Sequence, residues 1–468
     1  MLFSSFTYIF CFLPLTVLGF FLVRGRSLKL AKAWLLCCSV GFYATAGPQY
    51  IPVLLASILL NYLISAKLRN TPDTRGVLMA GIAGNVVILC IFKYVYFALS
   101  NFNLVFGMHL KLPVFALPAG VSFYTIQQIM YLVDRAEGLV EHQDILDHAV
   151  FVSFFPYVLM GPIVRAGQVL PQLDEPCNAR WNTENVCRGI FIFLIGLFKK
   201  AVLADTFGRW ANIGFSYPGT LAFADGWLTA LAYSFQLYFD FSGYTDMAIG
   251  SGLMLNVSLP QNFNGPFRAL GVIEYWGRWH ITLTNFITTY LYTPIVKSFR
   301  KLTFSKAMFA TVMAMGIAGL WHGAAWTFVV WGFLHGFALV VNHLGRRRKI
   351  RLPRMASHIV TCLFLLFAFV VFRAPTLARA GSVFHAMLFP GKLFDYDLFR
   401  VIDPFDQVVG FAWMIAGVII AFVGPTSATL QDTFKPTPRM LALAVFAAAV
   451  GLLYLNSLVS QGFLYRDF

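Results

Sequence analysis

Charge is what this sequence has least of. Asp, Glu, Lys and Arg make up 12% of its 468 residues, about half the roughly 25% of a soluble domain. Hydrophobic residues reach 59% and aromatics 17%, so a water-facing surface could not be assembled without large apolar patches. Acidic residues are scarcer than basic ones, 20 against 35 Lys and Arg, for a formal net charge of +15. The excess sits in short clusters between apolar runs, a pattern that suits anionic lipid headgroups better than nucleic acid. Cysteine supplies no framework: the seven cysteines show neither CxxC nor a Cys/His zinc spacing, and no metal is implied. Cys11, Cys37, Cys38, Cys90 and Cys362 fall within apolar stretches and are expected to be buried thiols. Internal repeats, low-complexity tracts and flexible linkers are missing too, which predicts one membrane domain over residues 1–468.

What is present is a series of apolar runs, each near the ~20 residues that cross about 30 Å of hydrocarbon as a helix. They are continuous, without period-2 alternation, which selects helices over a barrel. The fold class expected is an all-α polytopic integral membrane protein. Phe3–Val23 reads as a first span, not a signal peptide, because no basic n-region or small-residue cleavage pattern precedes Arg24. Arg24, Arg26, Lys29 and Lys32 then mark a cytoplasmic loop, as do Lys67, Arg69 and Arg75. Ala33–Ala46, Ile51–Ala66, Val77–Ser100 and Val114–Val133 complete an N-terminal block over 1–134. The strongest basic cluster, Arg346, Arg347, Arg348, Lys349, Arg351 and Arg354, is also expected inside. Ala356–Phe372, Phe411–Val423 and Leu441–Leu458 make a C-terminal block over 356–468, with Asp395, Asp397, Asp403 and Asp406 outside. Both chain ends are then extracytoplasmic, with roughly 10–12 crossings. Residues 145–345 are less regular: Phe151–Ile163 and Val272–Ile295 are short or polar for clean spans. Re-entrant or broken backbone survives at membrane depth only around protein or a wet cavity, so both segments are candidates to line a site.

Polar residues inside apolar sequence are the default functional candidates. Asp240 and Asp246 stand six apart in Tyr238-Phe239-Asp240-Phe241-Ser242-Gly243-Tyr244-Thr245-Asp246. One could orient a histidine or substrate; equally, each could cap a helix or pair with an arginine. Glu274-Tyr275-Trp276-Gly277-Arg278-Trp279-His280 suits either an interfacial aromatic belt or recognition of a phosphate or carbonyl by the arginine fork. From Ala307 to Leu344 there is no Asp, Glu, Lys or Arg, yet His322, His335 and His343 are present. One helix over that run would be about 57 Å long, so a break is expected near Gly316, Gly319 or Gly323, where another backbone or a ligand could also approach closely. On an unbroken helix at about 100° per residue, His335 would lie roughly 220° around from His322. One of them would then be catalytic and the other structural. An imidazole can take a proton from a hydroxyl near neutral pH; it can equally be a satisfied core histidine.

In order along the chain come Ser122-Phe123-Tyr124-Thr125 with Asp134, Gly161-Pro162-Ile163-Val164-Arg165, and Asp240 through Ala248. Arg278-Trp279-His280-Ile281, Gly319-Leu320-Trp321-His322-Gly323 with His335-Gly336, and Phe372-Arg373-Ala374 follow. This ordered set resembles the membrane-bound O-acyltransferase (MBOAT) family, in its bacterial AlgI/DltB-like branch, over nearly the whole chain. The resemblance implies a helical membrane core with a thin barrier between cytosolic and external funnels, in the bacterial inner membrane. It implies transfer of an acetyl group from a cytoplasmic donor, acetyl-CoA, toward an extracytoplasmic polysaccharide such as alginate, often through a periplasmic partner acetyltransferase. No resident cofactor is implied. It assigns His322 as catalytic base, and His280 with Arg278 as groups that orient the donor or stabilise an oxyanion. Asp240, Asp246, Trp321 and Arg165 become further substrate-side candidates. Gly277 stands where the alginate-type pattern has a second arginine, Thr288 and Thr289 where it has an Arg-Asp pair. Ile295, Val296 and Lys297 follow Pro294 in place of Gly-Gly-Asn-Arg. Those departures point away from alginate itself. The alternatives are D-alanyl transfer from an acidic carrier protein, and a transporter or flippase without covalent chemistry.

Overall fold

The computed structural model describes residues 1–70, 74–113, 115–141, 143–395, 398, 402, 404–456 and 462–464. Asp397, Asp403 and the C-terminal Phe468, used above for topology, lie outside them. In chain order the helices are α1 Leu13–Arg24, α2 Leu28–Ala44, α3 Ile51–Asn70, α4 Thr74–Lys93, α5 Val95–Phe106, α6 Val121–Ala136 and α7 Ile145–Ser153. Next come α8 Ala166–Asp174, α9 Thr183–Phe198, α10 Asp205–Ser216, α11 Phe223–Met254, α12 Val272–Trp276, α13 Ile281–Phe286 and α14 Thr293–Lys297. The last are α15 Phe304–His322, α16 Trp326–Arg347, α17 Arg354–Arg373, α18 Leu377–Leu388, α19 Pro404–Phe422, α20 Ser427–Asp432 and α21 Pro438–Asn456. Among the described residues no strand occurs.

Among the described residues seven helices are long and apolar enough to cross a bilayer: Pro48–Leu68, Thr74–Lys93, Phe304–His322, Trp326–Arg347, Arg354–Arg373, Pro404–Phe422 and Pro438–Leu455. Tyr8–Arg24 and Val95–Phe106 are shorter apolar helices, so the roughly 10–12 crossings expected would have to draw on helices below full spanning length. Leu59, Leu63, Val86, Phe309, Phe337, Val341, Ile415 and Ile419 point outward from the long helices. Water would penalise that surface and lipid does not: the protein is a multi-pass integral membrane protein. The same outward faces correct the expectation for cysteine. All seven thiols are free; Cys11 and Cys37 are exposed, and Cys38, Cys90 and Cys362 are only partly covered, so none of the five is buried.

The packing divides into two compact units, Met1–Phe193 with Thr245–Pro260, and Leu194–Tyr244 with Gln261–Phe468. These boundaries fall elsewhere than the sequence blocks. In the first unit, α3 and α4 are joined by Asn61 and Asn85, which exchange amide hydrogen bonds at 3.1 and 2.6 Å. Such interhelical polar pairs act as glue where no water competes. The segment expected to be non-helical is so: after α7 the chain turns through Phe154, Phe155, Tyr157 and Val158, all buried, before α8 begins. Val77–Ser100 is split at Tyr94 into α4 and α5, and α6 is buried on nearly every face.

The second unit has a charge polarity that the composition hid. No Asp or Glu occurs from 275 to 394. The basic loops before α15 and after α16 meet at one end, where the Arg347 guanidinium lies 4.6 Å over the Phe304 ring. Helix α17 leaves that end and finishes at Arg373, whose guanidinium donates to Asn212 Oδ1 of α10 at 2.9 Å. Carboxylates gather at this far end: Asp225 accepts from the Asp395 N–H at 2.9 Å, and Asp406 pairs with Arg209 at 3.1 Å. Val272–Ile295 is broken as expected, into α12, α13, a π-helical turn Ile287–Tyr292 and α14.

Candidate active site

The charge-free run containing the histidines breaks where the glycines predict. Helix α15 ends on His322, Gly323 and Ala325 are extended, and α16 starts at Trp326. The two helices form a tight hairpin: a Cβ on Gly332 would meet Gly319 Cα at 2.9 Å, and one on Gly319 would meet Gly332 Cα at 2.8 Å. Only hydrogen fits on either side of that crossing. The hairpin folds the chain back so that the mouth of the break is packed by residues of α16 and α17.

His322 is 3% exposed and walled by uncharged rings. Its imidazole meets Trp331 edge-on at 5.1 Å between ring centroids and Phe372 at 5.3 Å. Trp331 also touches His335, at 4.7 Å. Both histidines therefore face one indole, and the opposite-face argument fails because its unbroken helix does not exist. Trp276 Nε1–H donates to His335 Nδ1 at 3.3 Å. That bond makes Nδ1 the acceptor, which leaves the proton of a neutral ring on Nε2. His335 Nε2 has no hydrogen-bond partner among the described residues.

His280 is fixed differently. Asn262 Oδ1 receives the Thr282 N–H at 3.3 Å, the Thr282 hydroxyl at 2.7 Å, and faces His280 Nδ1 at 3.3 Å. A backbone N–H can only donate, so this atom is the amide oxygen and His280 Nδ1 carries the proton. The lone pair is left on Nε2, which is buried without a partner among the described residues. His280 also holds φ +44°, ψ +51°, a left-handed conformation that costs a non-glycine residue about 1–3 kcal/mol. Phe241 caps the ring at 4.7 Å. From there an aromatic chain runs through Phe263, Trp279 and Tyr275, at centroid steps of 5.1, 5.0 and 5.6 Å, to His335 at 6.3 Å. Trp276 and Trp279 are 5% and 3% exposed. They are core residues, which removes the interfacial-belt reading of this segment.

The other candidates have their own partners. Arg278 is engaged by Glu274, at 2.9–3.0 Å, and by the Asn264 carbonyl at 3.1 Å. Trp321 packs edge-on against His322 at 4.9 Å. Asp240 pairs with Lys200 at 2.7 Å, and Lys200 also pairs with Asp205 at 2.8 Å. The Leu464 N–H donates to Asp240 Oδ2 at 2.9 Å, and Phe463 lies beneath the ammonium at 4.8 Å. The pairing reading of Asp240 thus describes it best, with Lys200 in place of the expected arginine. Asp246 and Arg165 belong to the first unit, Asp246 2% exposed and Arg165 at the start of α8. Sequence reasoning missed Asn262, Trp331 and Lys200. Lys200 carried a signal, a lysine pair inside the apolar run 189–204; Asn262 and Trp331 carried none.

A family model described as the membrane-bound O-acyltransferase family matches residues 81–384, a range that holds both histidine cages and the hairpin. The chain belongs to the membrane-bound O-acyltransferase family. As a member it is an acyltransferase enzyme, and the transporter reading falls away. It is 40% identical to the peptidoglycan O-acetyltransferase of Helicobacter pylori, over 83% of this chain and 80% of that protein. It is 34% identical to the probable alginate O-acetylase AlgI of Pseudomonas aeruginosa, over 96% of this chain and 86% of that protein. The likeness to the teichoic acid D-alanyltransferase of Streptococcus thermophilus is 26%, over 49% and 58%. Within this membrane-bound O-acyltransferase, the arrangement around His322 supplies a buried imidazole against aromatic rings. Such a group can take a proton from an attacking hydroxyl and return it without competition from bulk water.

Proposed function

We propose that this enzyme transfers an acetyl group from a cytoplasmic thioester donor, acetyl-CoA, to hydroxyls of a cell-envelope polysaccharide, with His322 as the catalytic base. The observation that carries this reading is the buried His322 imidazole at the break between α15 and α16, walled by Trp331 and Phe372. The relatives named for O-acetylation cover most of this chain, which favours acetyl over D-alanyl transfer. Peptidoglycan is the first acceptor to test, since the alginate-type arginines are replaced at Gly277 and Thr288. The basic end of the second unit faces the cytoplasm in this reading, by the positive-inside rule, within the bacterial inner membrane. The carboxylate end faces the polymer or a periplasmic partner acetyltransferase.

The test is acetyl transfer from labelled acetyl-CoA in membranes carrying His322→Gln. Glutamine keeps polar bonding but cannot accept and return a proton. Transfer should fall by about 10²–10⁴-fold, the contribution of a positioned general base, with the protein inserted at the parental level. Parental transfer by His322→Gln would make His322 a structural histidine. Transfer that demands an acylated carrier protein in place of acetyl-CoA would favour D-alanyl-type chemistry.

A further inference from the structure

The carboxylate end of the second unit holds a cavity of about 260 Å³ that the proposed transfer chemistry does not use. Its wall includes Asp205, Arg209 and Trp210 of α10, Phe405 and Asp406 of α19, and Tyr454 of α21. Trp210 is held by Phe411 at 4.6 Å, and the Tyr454 hydroxyl accepts the Trp413 indole N–H at 2.8 Å. The rings are thus locked in place before any ligand arrives. Each carboxylate in the wall already has its cation, Asp205 with Lys200 at 2.8 Å and Asp406 with Arg209 at 3.1 Å.

Rigid aromatic surface beside one arginine and two carboxylates, a net charge of −1 among the lining residues, favours a ligand without negative charge. A pyranose ring offers an apolar C–H face for the rings and a rim of hydroxyls for the Arg–Asp pair, where bonds to charged groups are the strong ones. An added anion would meet two carboxylates whose cations are taken, and its desolvation would go uncompensated. We infer that this cavity binds one uncharged pyranose residue of the acceptor glycan and not a uronate. The inference rests on the reading that the acceptor is a cell-envelope polysaccharide, and it places the polymer at the carboxylate end of the second unit.

The test is calorimetry on full-length protein in lipid nanodiscs, with an N-acetylglucosamine tetramer and a mannuronate tetramer as probes. The neutral tetramer should bind saturably and the uronate should not at equal concentration. Arg209→Gln and Asp406→Asn, both at solvent-accessible positions where unfolding is not expected, should each weaken binding about tenfold, as loss of a charged hydrogen bond does. His322→Gln should bind like the parent. Equal binding of both tetramers, binding of neither, or parental affinity in both cavity variants would overturn the inference. Glycan acetylation with parental affinity in the variants sinks the cavity alone. Binding of the neutral tetramer that is sensitive to Arg209, with no acetylation of any glycan, sinks the proposed function and leaves the cavity standing.

Discussion

His322 and Lys200 are almost equally buried, 3% and 2% exposed, yet the second unit accommodates them in opposite ways. Lys200 is surrounded by charge: two carboxylates within 2.8 Å, the Phe463 ring face at 4.8 Å and the Gly462 carbonyl at 3.3 Å. Every feature there favours one fixed protonation state, because a buried ammonium without its counter-ions would be costly. His322 is packed by the rings of Trp321, Trp331 and Phe372. A neutral imidazole offers a lone pair to a reacting hydroxyl, the role proposed for His322, which an ammonium fixed between two carboxylates cannot play. Depth in the protein therefore does not by itself separate a proposed base from a structural ion.

The largest effect should come from removing the ion that closes the cluster. Lys200→Met leaves Asp205 and Asp240 without a cation, and breaking a buried pair costs about 3–5 kcal/mol. Detergent-solubilised yield by fluorescence-detected size exclusion should collapse, and Lys200→Met with Asp205→Asn and Asp240→Asn should recover much of it. A single variant that folds and transfers normally would make the cluster dispensable and blur the contrast with His322.

His335 sharpens the comparison from the other side, since it shares Trp331 with His322. His335→Phe keeps a ring of similar size and removes only the acceptor for Trp276. Loss of one hydrogen bond of about 1 kcal/mol predicts a several-fold drop in turnover at normal protein yield. A loss as deep as that of His322→Gln would mean the two imidazoles act as a pair. Arg278→Ala should do least. Its pair with Glu274 is one turn apart and a third exposed, a contact worth about 0.3–0.5 kcal/mol. Yield should stay parental and the donor KM should rise a few-fold; an unchanged KM would reduce Arg278 to a surface ion pair.

The sequence was most readable where one rule decided the outcome. The absence of charge from Ala307 to Leu344, with Gly316, Gly319 and Gly323 as the expected break points, led to a broken helix, and the break falls at Gly323–Ala325. The polar run Val272–Ile295 led to fragmented backbone, and four short helical pieces are found there. Readings failed where packing between distant segments decided. Trp276 and Trp279 look like a membrane belt by composition, but Tyr275, Phe263 and Phe369 enclose them. Asn262 is one amide in a loop of amides until Thr282 folds onto it. His335 and His322 meet at Trp331 because the helix breaks between them, the one case in which helical phase let them share a side.

The crossing of Gly319 over Gly332 constrains how this enzyme can change with time. Each glycine leaves room only for the other's backbone, so no single replacement at either position can be absorbed by a neighbour shifting a side chain. A lineage could widen the crossing only by moving two helices at once, and those helices carry His322 and His335. Ordinary stepwise drift is blocked there, whereas the lipid-facing leucines a turn away can vary almost at will. Variation among descendants of this chain should therefore leave a fixed seam through a freely changing surface, and that seam marks the hairpin on which the chemistry hangs.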